Sequence, residues 1–284
     1  MGAMVDSSER LRRNTSSVRV TTVKGVVASD RPDRLAAEEP MEIRVFGPGQ
    51  DAAPVAVTMR TPGGDFELAA GFLFTEGLVS GREEIAQVSY CEDLPDEEQL
   101  YNVVTVRLNR EWDAGAAKRN FYATSSCGIC GKASLDEVEV HCSPVVSGLE
   151  VSADVIRSMP DKLREGQRVF DQTGGLHAAG LFDASGALIS LREDVGRHNA
   201  VDKLVGEALL ANGLPLTDRV LQVSGRVSFE IVQKAAMGGI PVIAAISAPS
   251  SLAVEAGDRL GITIVGFVRD DRFNIYSHPQ RIVV

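Results

Sequence analysis

The chain has 284 residues, 44% of them hydrophobic and 24% charged, with 29 Lys and Arg against 39 Asp and Glu for a formal charge of −10. Enough chain for one large domain or two modest ones, at roughly 150 residues each, supplies a core without disulfide staples, and four cysteines are too few for a secreted disulfide scaffold. The acidic balance argues against a protein that coats nucleic acid, and no apolar run reaches the ~18 residues of a membrane span. Residues 1–17 also lack the apolar centre of a signal peptide, so the expected compartment is the cytoplasm, with neither nucleic acid nor membrane as partner.

Residues 1–17, rich in Ser, Arg and Asn, read as a floppy polar tail. Residues 18–26 alternate as a strand, and 41–46 and 55–59 read as two more, each bounded by Pro or Gly clusters. Asp65 caps a helix whose Phe66, Leu68, Ala69, Phe72 and Leu73 recur at helical spacing, and whose apolar face reads as core. Strands near 85–90 and 101–108 follow, separated by an acidic loop broken at Leu94-Pro95. These elements define a smaller β-rich N-terminal domain over 18–123. From 124 to 284 helix and strand alternate as in a layered α/β domain. A helical stretch starts at Ser152 and is restarted by Pro160, with Ser158 as cap. A hairpin of strands 176–183 and 187–193 comes next, then helix 198–210, strand 219–224, helix 228–237, strand 241–247, helix 250–260, strand 262–269 and a short strand near 274–276. The expected class is α/β in this domain and α+β over the whole chain.

The segment Ser126-Cys127-Gly128-Ile129-Cys130-Gly131-Lys132 carries the most chemistry. A thiolate attacks sulfur or holds a metal, and its pKa falls beside a cation or a helix N-terminus; Lys132 and an expected helix over 133–140 offer both. Gly128 and Gly131 let the cysteines swing outward. Zinc is the rival reading, with Cys127, Cys130, His141 and Cys142 as a Cys3His set, although adjacent residues on a strand point to opposite faces. A deaminase-type zinc site needs a His-x-Glu triplet, which none of His141, His177, His198 and His278 begins. No P-loop and no complete G-x-G-x-x-G is present.

Three polar turns fall at expected strand ends, over 192–198, 224–228 and 269–272, where ligands of open α/β sheets gather. Two of them open helices, whose first N–H groups favour anions, and together they point to a polyanion pocket. Capping and surface ion pairs are the alternative for Arg192-Glu193-Asp194-Val195-Gly196-Arg197-His198-Asn199. His177 is open between a catalytic and a core role, Glu230 and Glu255 read as polar edges of amphipathic helices, and neither Cys91 nor Cys142 has an evident activator.

The ordered motifs Ser126-Cys127-Gly128-Ile129-Cys130-Gly131, Gly174-Gly175-Leu176-His177-Ala178-Ala179, Arg192 through Lys203, Ser224-Gly225-Arg226 and Arg272-Phe273-Asn274-Ile275-Tyr276 resemble the formate dehydrogenase accessory sulfurtransferase family. The resemblance covers nearly everything after the tail. It implies a cytoplasmic sulfurtransferase that accepts persulfide sulfur from a cysteine desulfurase and delivers it to the molybdenum cofactor, in its bis-guanine-dinucleotide form, for formate dehydrogenase. It also implies a cytidine deaminase-like C-terminal domain without structural metal, and a homodimer. Cys127 then maps to the persulfide carrier, with Cys130 assisting or sharing the relay. Phe267, Val268, Arg269, Asp270, Asp271 and Arg272 map to the cofactor-binding turn, and a guanine nucleotide would mimic the cofactor there. An acidic protein needs a focused basic site for several phosphates, for which Ser224 and Arg226, with Arg197 and His198, are candidates beside Arg269 and Arg272; Phe267 or Phe273 would stack on guanine or pterin. The competing reading is a chaperone that holds the cofactor for the catalytic subunit of formate dehydrogenase, its two cysteines structural or zinc-binding.

Overall fold

The computed structural model describes residues 14–91, 101–113, 142–269 and 271–284. The chain opens with an antiparallel ribbon of β1 (Thr15–Lys24) and β2 (Val27–Ala36). Next come β3 (Glu39–Phe46), β4 (Ala53–Arg60), helix α1 (Asp65–Thr75), β5 (Ile85–Tyr90) and β6 (Val103–Leu108), whose strands pair in the order β4-β3-β6-β5. The second half runs β7 (Val151–Ser152), α2 (Ala153–Gly166), α3 (Arg168–Thr173), β8 (His177–Phe182), β9 (Leu188–Asp194) and α4 (Arg197–Leu210). It continues with β10 (Val220–Val223), α5 (Phe229–Met237), β11 (Val242–Ala245), α6 (Ser251–Arg259), β12 (Thr263–Arg269), β13 (Arg272–Ser277) and β14 (Ile282–Val283). Its six-stranded sheet has the order β13-β12-β11-β10-β8-β9; β10, β11 and β12 are parallel, and the other pairs antiparallel. The architecture is α+β.

Two apolar clusters sit on opposite faces of the large sheet. Under one face, Ile156, Met159 and Leu163 of α2 cover Ala178, Phe182, Val220, Val242, Ala244 and Val265. On the other face, Leu221, Val223, Ile243 and Ile264 join Ala200, Val201, Leu204 and Val205 of α4, Leu68, Ala69 and Leu73 of α1, and Met41, Ile43, Val104 and Val106 of the small sheet. One continuous core therefore spans both sheets, and the helix expected to be core lies at its centre. Alternation along β3 and β6 puts every second side chain into that core, as a sheet with one wet face requires.

The contact between α1 and α4 is backbone to backbone. A Cβ placed on Gly71 would lie 1.9 Å from the Asp202 carbonyl oxygen, and one on Gly206 1.9 Å from that of Glu67. Around this crossing, buried charges join the halves. Lys234 pairs with Asp202 and Glu76 at 2.9 Å each, and Thr75 donates to Asp202 at 2.7 Å. Burial opposes the Lys234 charge, but the two carboxylates more than offset it and hold the ammonium above its ordinary range. Lys203 pairs with the fully buried Asp194 at 2.6 Å and donates to the Thr61 carbonyl at 2.9 Å.

Several expectations need correction. The tail ends earlier, because residues 15–17 already pair with 34–36. The strand β2 is absent from the sequence reading, since Asp30-Arg31-Pro32-Asp33-Arg34 has no apolar alternation; it forms by pairing with β1, and an exposed two-stranded ribbon tolerates a proline. Pro160 does not restart the helix. One helix runs from Ala153 to Gly166 through it, fastened by buried Ile156, Met159 and Leu163; Ser152 accepts from the Val155 amide as the cap, while the Ser158 hydroxyl donates to the Val155 carbonyl. The expected helix over 133–140 and the boundary at 123 lie outside the described residues.

A Gly206→Ala substitution forces the two backbones apart. It is expected to lower stability by at least ~1–3 kcal/mol, the usual range for overpacking, read as a shifted urea midpoint with unchanged slope.

Candidate ligand-binding edge at the strand ends

The carboxyl ends of β9, β10, β11 and β12 meet along one edge of the large sheet. β8 begins at the same edge, since His177 pairs in register with Asp194. The connecting turns are laced sideways by main-chain bonds. Ser224 donates to the Ala178 carbonyl at 3.0 Å, Val227 to Ala248 at 3.2 Å, and Phe267 to Ser247 at 3.2 Å. The Ser224 hydroxyl accepts from the Ala178 amide at 2.9 Å, and Arg269 Nε reaches the Ile246 carbonyl at 3.4 Å. The start of β8, the turns after β10 and β11 and the end of β12 thus form one continuous rim.

At one end of the rim His177 and Arg197 meet over Gly225, where a Cβ would lie 3.4 Å from His177 Nδ1 and 3.6 Å from Arg197 Cδ. Arg197 Nε is buried without a hydrogen-bond partner, and among the described residues Arg197 has no ion pair. Arg226 follows on the same turn. Arg269 ends β12, two strands from β10 and hence about 10 Å along the sheet; Arg272 faces it across the β12–β13 hairpin. Phe267 holds a left-handed backbone (φ 55°) at an irregularity of that hairpin, and the residue is 39% exposed. The rim therefore brings together Ser224, Arg226, Arg197 and His198, and aligns Phe267, Arg269 and Arg272 further along it. Val268 differs, because its side chain is buried in the core under α2 and only its main chain reaches the edge. Asp271 is exposed, while Asp270, Cys127 and Cys130 lie outside the described residues.

His198 sits beside Ser228 and Glu230 at the start of α5. Its Nε2 lies 3.2 Å from the Ser228 hydroxyl and 3.9 Å from Glu230 Oε2. Burial would raise the Glu230 carboxyl, but hydrogen bonds from Ser228 and from its own amide outweigh it, leaving Glu230 an ionised acceptor. With its proton turned toward Glu230, the Ser228 hydroxyl accepts from His198 Nε2–H. His198 Nδ1 is then a bare acceptor. Burial, with Arg197 and Lys234 adding to it, pushes the His198 pKa down to about 4 despite Glu230 and Glu76. His177 is lowered likewise, by burial first and Arg197 second, with Asp194 opposing.

The Arg192–Lys203 motif is more structural than its surface reading suggests. Glu193 caps α3 through the Val169 and Phe170 amides at 3.0 and 2.8 Å, and Arg192 pairs with Glu207 at 2.7 Å. Asn199 donates to Asp194 at 3.0 Å and to the Met59 carbonyl at 2.8 Å, and the Thr61 amide donates to Asp194 at 3.2 Å. Asp194, Asn199, Asp202 and Lys203 thus fasten the two sheets, leaving Arg197 and His198 to face the rim. The partnership of Ser228 and Glu230 with His198 escaped the sequence reading, because its members stand 30 and 32 positions from the histidine; a Ser beginning a helix with Glu two residues on was the available signal. Of the zinc set, only Cys142 is described. It is buried in the apolar core, which pushes its thiol up to about 11. Among the described residues no group of three or more His, Cys, Asp or Glu is placed to hold a metal, and no helix is long and apolar enough to cross a membrane.

The family model of FdhD/NarQ matches residues 36–283. The chain belongs to the FdhD/NarQ family. Among its relatives, a "Sulfur carrier protein FdhD" of Mycolicibacterium paratuberculosis is 52% identical over 277 residues, covering 94% of this chain and 98% of the relative. One from Sulfolobus acidocaldarius, similarly named, is 44% identical over 265 residues, covering 93% and 97%. A crystal structure from Desulfotalea psychrophila, named for a formate dehydrogenase accessory role, superposes with a TM-score of 0.74 at 25% identity, covering 95% of this chain and all of that one. Within this FdhD/NarQ chain the described residues thus supply a fold and a cationic rim, while the cysteine run lies outside them.

For a histidine whose folded pKa lies below its unfolded value of ~6.5, the unfolded chain binds the proton more tightly. Its contribution to stability is therefore complete above pH ~6.5 and lost as pH falls toward about 4. A His198→Gln chain, whose amide still donates to Ser228, is expected to show a flatter pH dependence of its urea midpoint across that window.

Proposed function

We propose that this chain is a cytoplasmic sulfur carrier that takes persulfide sulfur from a cysteine desulfurase onto Cys127 and delivers it to the molybdenum cofactor for formate dehydrogenase. The observation that carries the reading is the match, over nearly the full length of both chains, to proteins named as sulfur carriers. In this reading the Cys127 thiolate attacks the outer sulfur of the desulfurase persulfide, the S–S bond breaks and the desulfurase cysteine leaves as thiolate. Cys130 assists the carrier cysteine.

The cofactor in its bis-guanine-dinucleotide form is the sulfur acceptor, held by its phosphates along the strand-end rim. The unpartnered Arg197 Nε and the exposed arginines at the ends of β10 and β12 supply charge complementarity, which is what an acidic chain needs to hold a polyanion locally. Ser224 and Arg226 border one end of it with Arg197 and His198, and the Phe267–Arg272 turn the other, where the exposed Phe267 offers a stacking face. The partners in this scheme are the desulfurase, the catalytic subunit of formate dehydrogenase and a second copy of the chain. In this reading the C-terminal half of the chain is a cytidine deaminase-like domain without structural metal.

Incubation with a cysteine desulfurase and free cysteine, followed by peptide mass spectrometry without reductant, is expected to find extra sulfur on the Cys127 peptide and none in Cys127→Ala. An unmodified peptide beside a desulfurase that turns over removes the carrier role. Replacing Arg226 or Arg269 by Ala is expected to weaken GDP binding severalfold in calorimetry, and unchanged affinity in both variants removes the rim as the phosphate site.

A further inference from the structure

Two imidazoles held toward the neutral form, beside a guanidinium that has no ion pair among the described residues, form an unusual lining for an anion site. Among the described residues, Arg197 is the cation that presses on both His177 and His198. The other cation near His198, Lys234, is already matched by Asp202 and Glu76. Facing His198 are therefore Arg197 from its own helix, Lys234 and Glu230 from α5, and Glu76 beyond α1; facing His177 are Arg197 and, from β9, Asp194. Burial is the larger cause of both neutral rings, and the repulsion common to the two comes from one side chain whose Nε has no partner.

Resting on the reading of this rim as the phosphate site, we propose that Arg197 anchors the phosphate-bearing ligand and that its occupancy loads a proton from solvent onto His198, and in part onto His177. Glu230 lies 3.9 Å from His198 Nε2 and the Ser228 hydroxyl 3.2 Å from it; with Ser228 accepting from Nε2–H, an arriving proton goes to Nδ1. A phosphate on Arg197 cancels the repulsion and offers an acceptor oxygen for a new Nδ1–H donor. The ring then bridges ligand and Ser228, and the rim gains a charge-assisted hydrogen bond available only to an anionic ligand. Affinity consequently depends on pH with a definite sign. Raising the histidine pKa in the complex means that protons are taken up on binding, and binding weakens as pH rises through the bound-state value.

Calorimetry of GDP with the full chain, in pairs of buffers of different ionisation enthalpy from pH 5.5 to 8, reads the proton count directly. The expected result is net uptake, with affinity falling up to about tenfold per pH unit for each proton taken up. The terminal phosphate of GDP titrates near pH 6 and, entering a cationic site, releases protons rather than absorbing them, so uptake cannot come from the ligand. His198→Gln is expected to lose most of the uptake while still binding GDP, and Arg197→Gln to lose both uptake and most of the affinity. Binding with no uptake, or uptake unchanged in His198→Gln, overturns the coupling and leaves the phosphate site standing. Absence of GDP binding to the unsubstituted chain overturns the site and the coupling together.

Discussion

The close crossing of α1 and α4 is the contact on which the rest of the molecule depends. Helices normally stand 8–10 Å apart because side chains fill the space between them. Here Gly71 and Gly206 remove that spacer, and each backbone rests against a carbonyl of the other helix. α1 belongs to the small sheet and α4 to the large one, so the crossing fixes the separation of the two sheets. With the sheets that close, Leu68, Leu73, Leu204 and Val205 have no exposed surface. Apolar burial on this scale stabilises the join without direction, and the register is set by polar contacts that cross it and leave little freedom: Lys234 with Glu76 at 2.9 Å, Thr75 with Asp202 at 2.7 Å, and Lys203 with the Thr61 carbonyl at 2.9 Å.

Placing ion pairs inside such a join has a cost that geometry must offset. Each buried carboxylate is met by more than its ammonium. Asp194 also accepts from Asn199 and from the Thr61 and Gly196 amides, and Asp202 from Thr75. These donors come from both halves of the chain. A sliding of one sheet over the other would strip several of them at once, leaving charges unsolvated in an apolar interior, so the arrangement selects one alignment.

Much of the fold was legible because periodicity and punctuation agreed. The strands and helices of the second half fall within a residue or two of their apolar runs, with Gly and Pro at the expected ends, as for α5 between Ser228 and Gly238. The strand β2 was not, because its residues gain nothing from burial and acquire strand geometry only from a partner strand. Pro160 misled because a helix with buried Ile156, Met159 and Leu163 tolerates one missing hydrogen bond. At the rim, arginines at strand ends were visible as residue types. Their division of labour was not, since whether Asp194 or Arg197 turns inward depends on the neighbouring sheet. Glu230 was read as a polar helix edge, and only the folded distance to His198 gives it another part.

The first turn of α4 has one further consequence. Asn199, Asp202 and Lys203 point into the join while Arg197 and His198 face the rim, so one stretch of main chain answers to two masters. An inherited change there is judged twice over, by the packing of the halves and by whatever the rim receives. A drift that suits one judgement rarely suits the other. The route open to this molecule for retuning its rim therefore runs through the turns after β10 and β12, where Arg226 and Arg269 carry no such double duty.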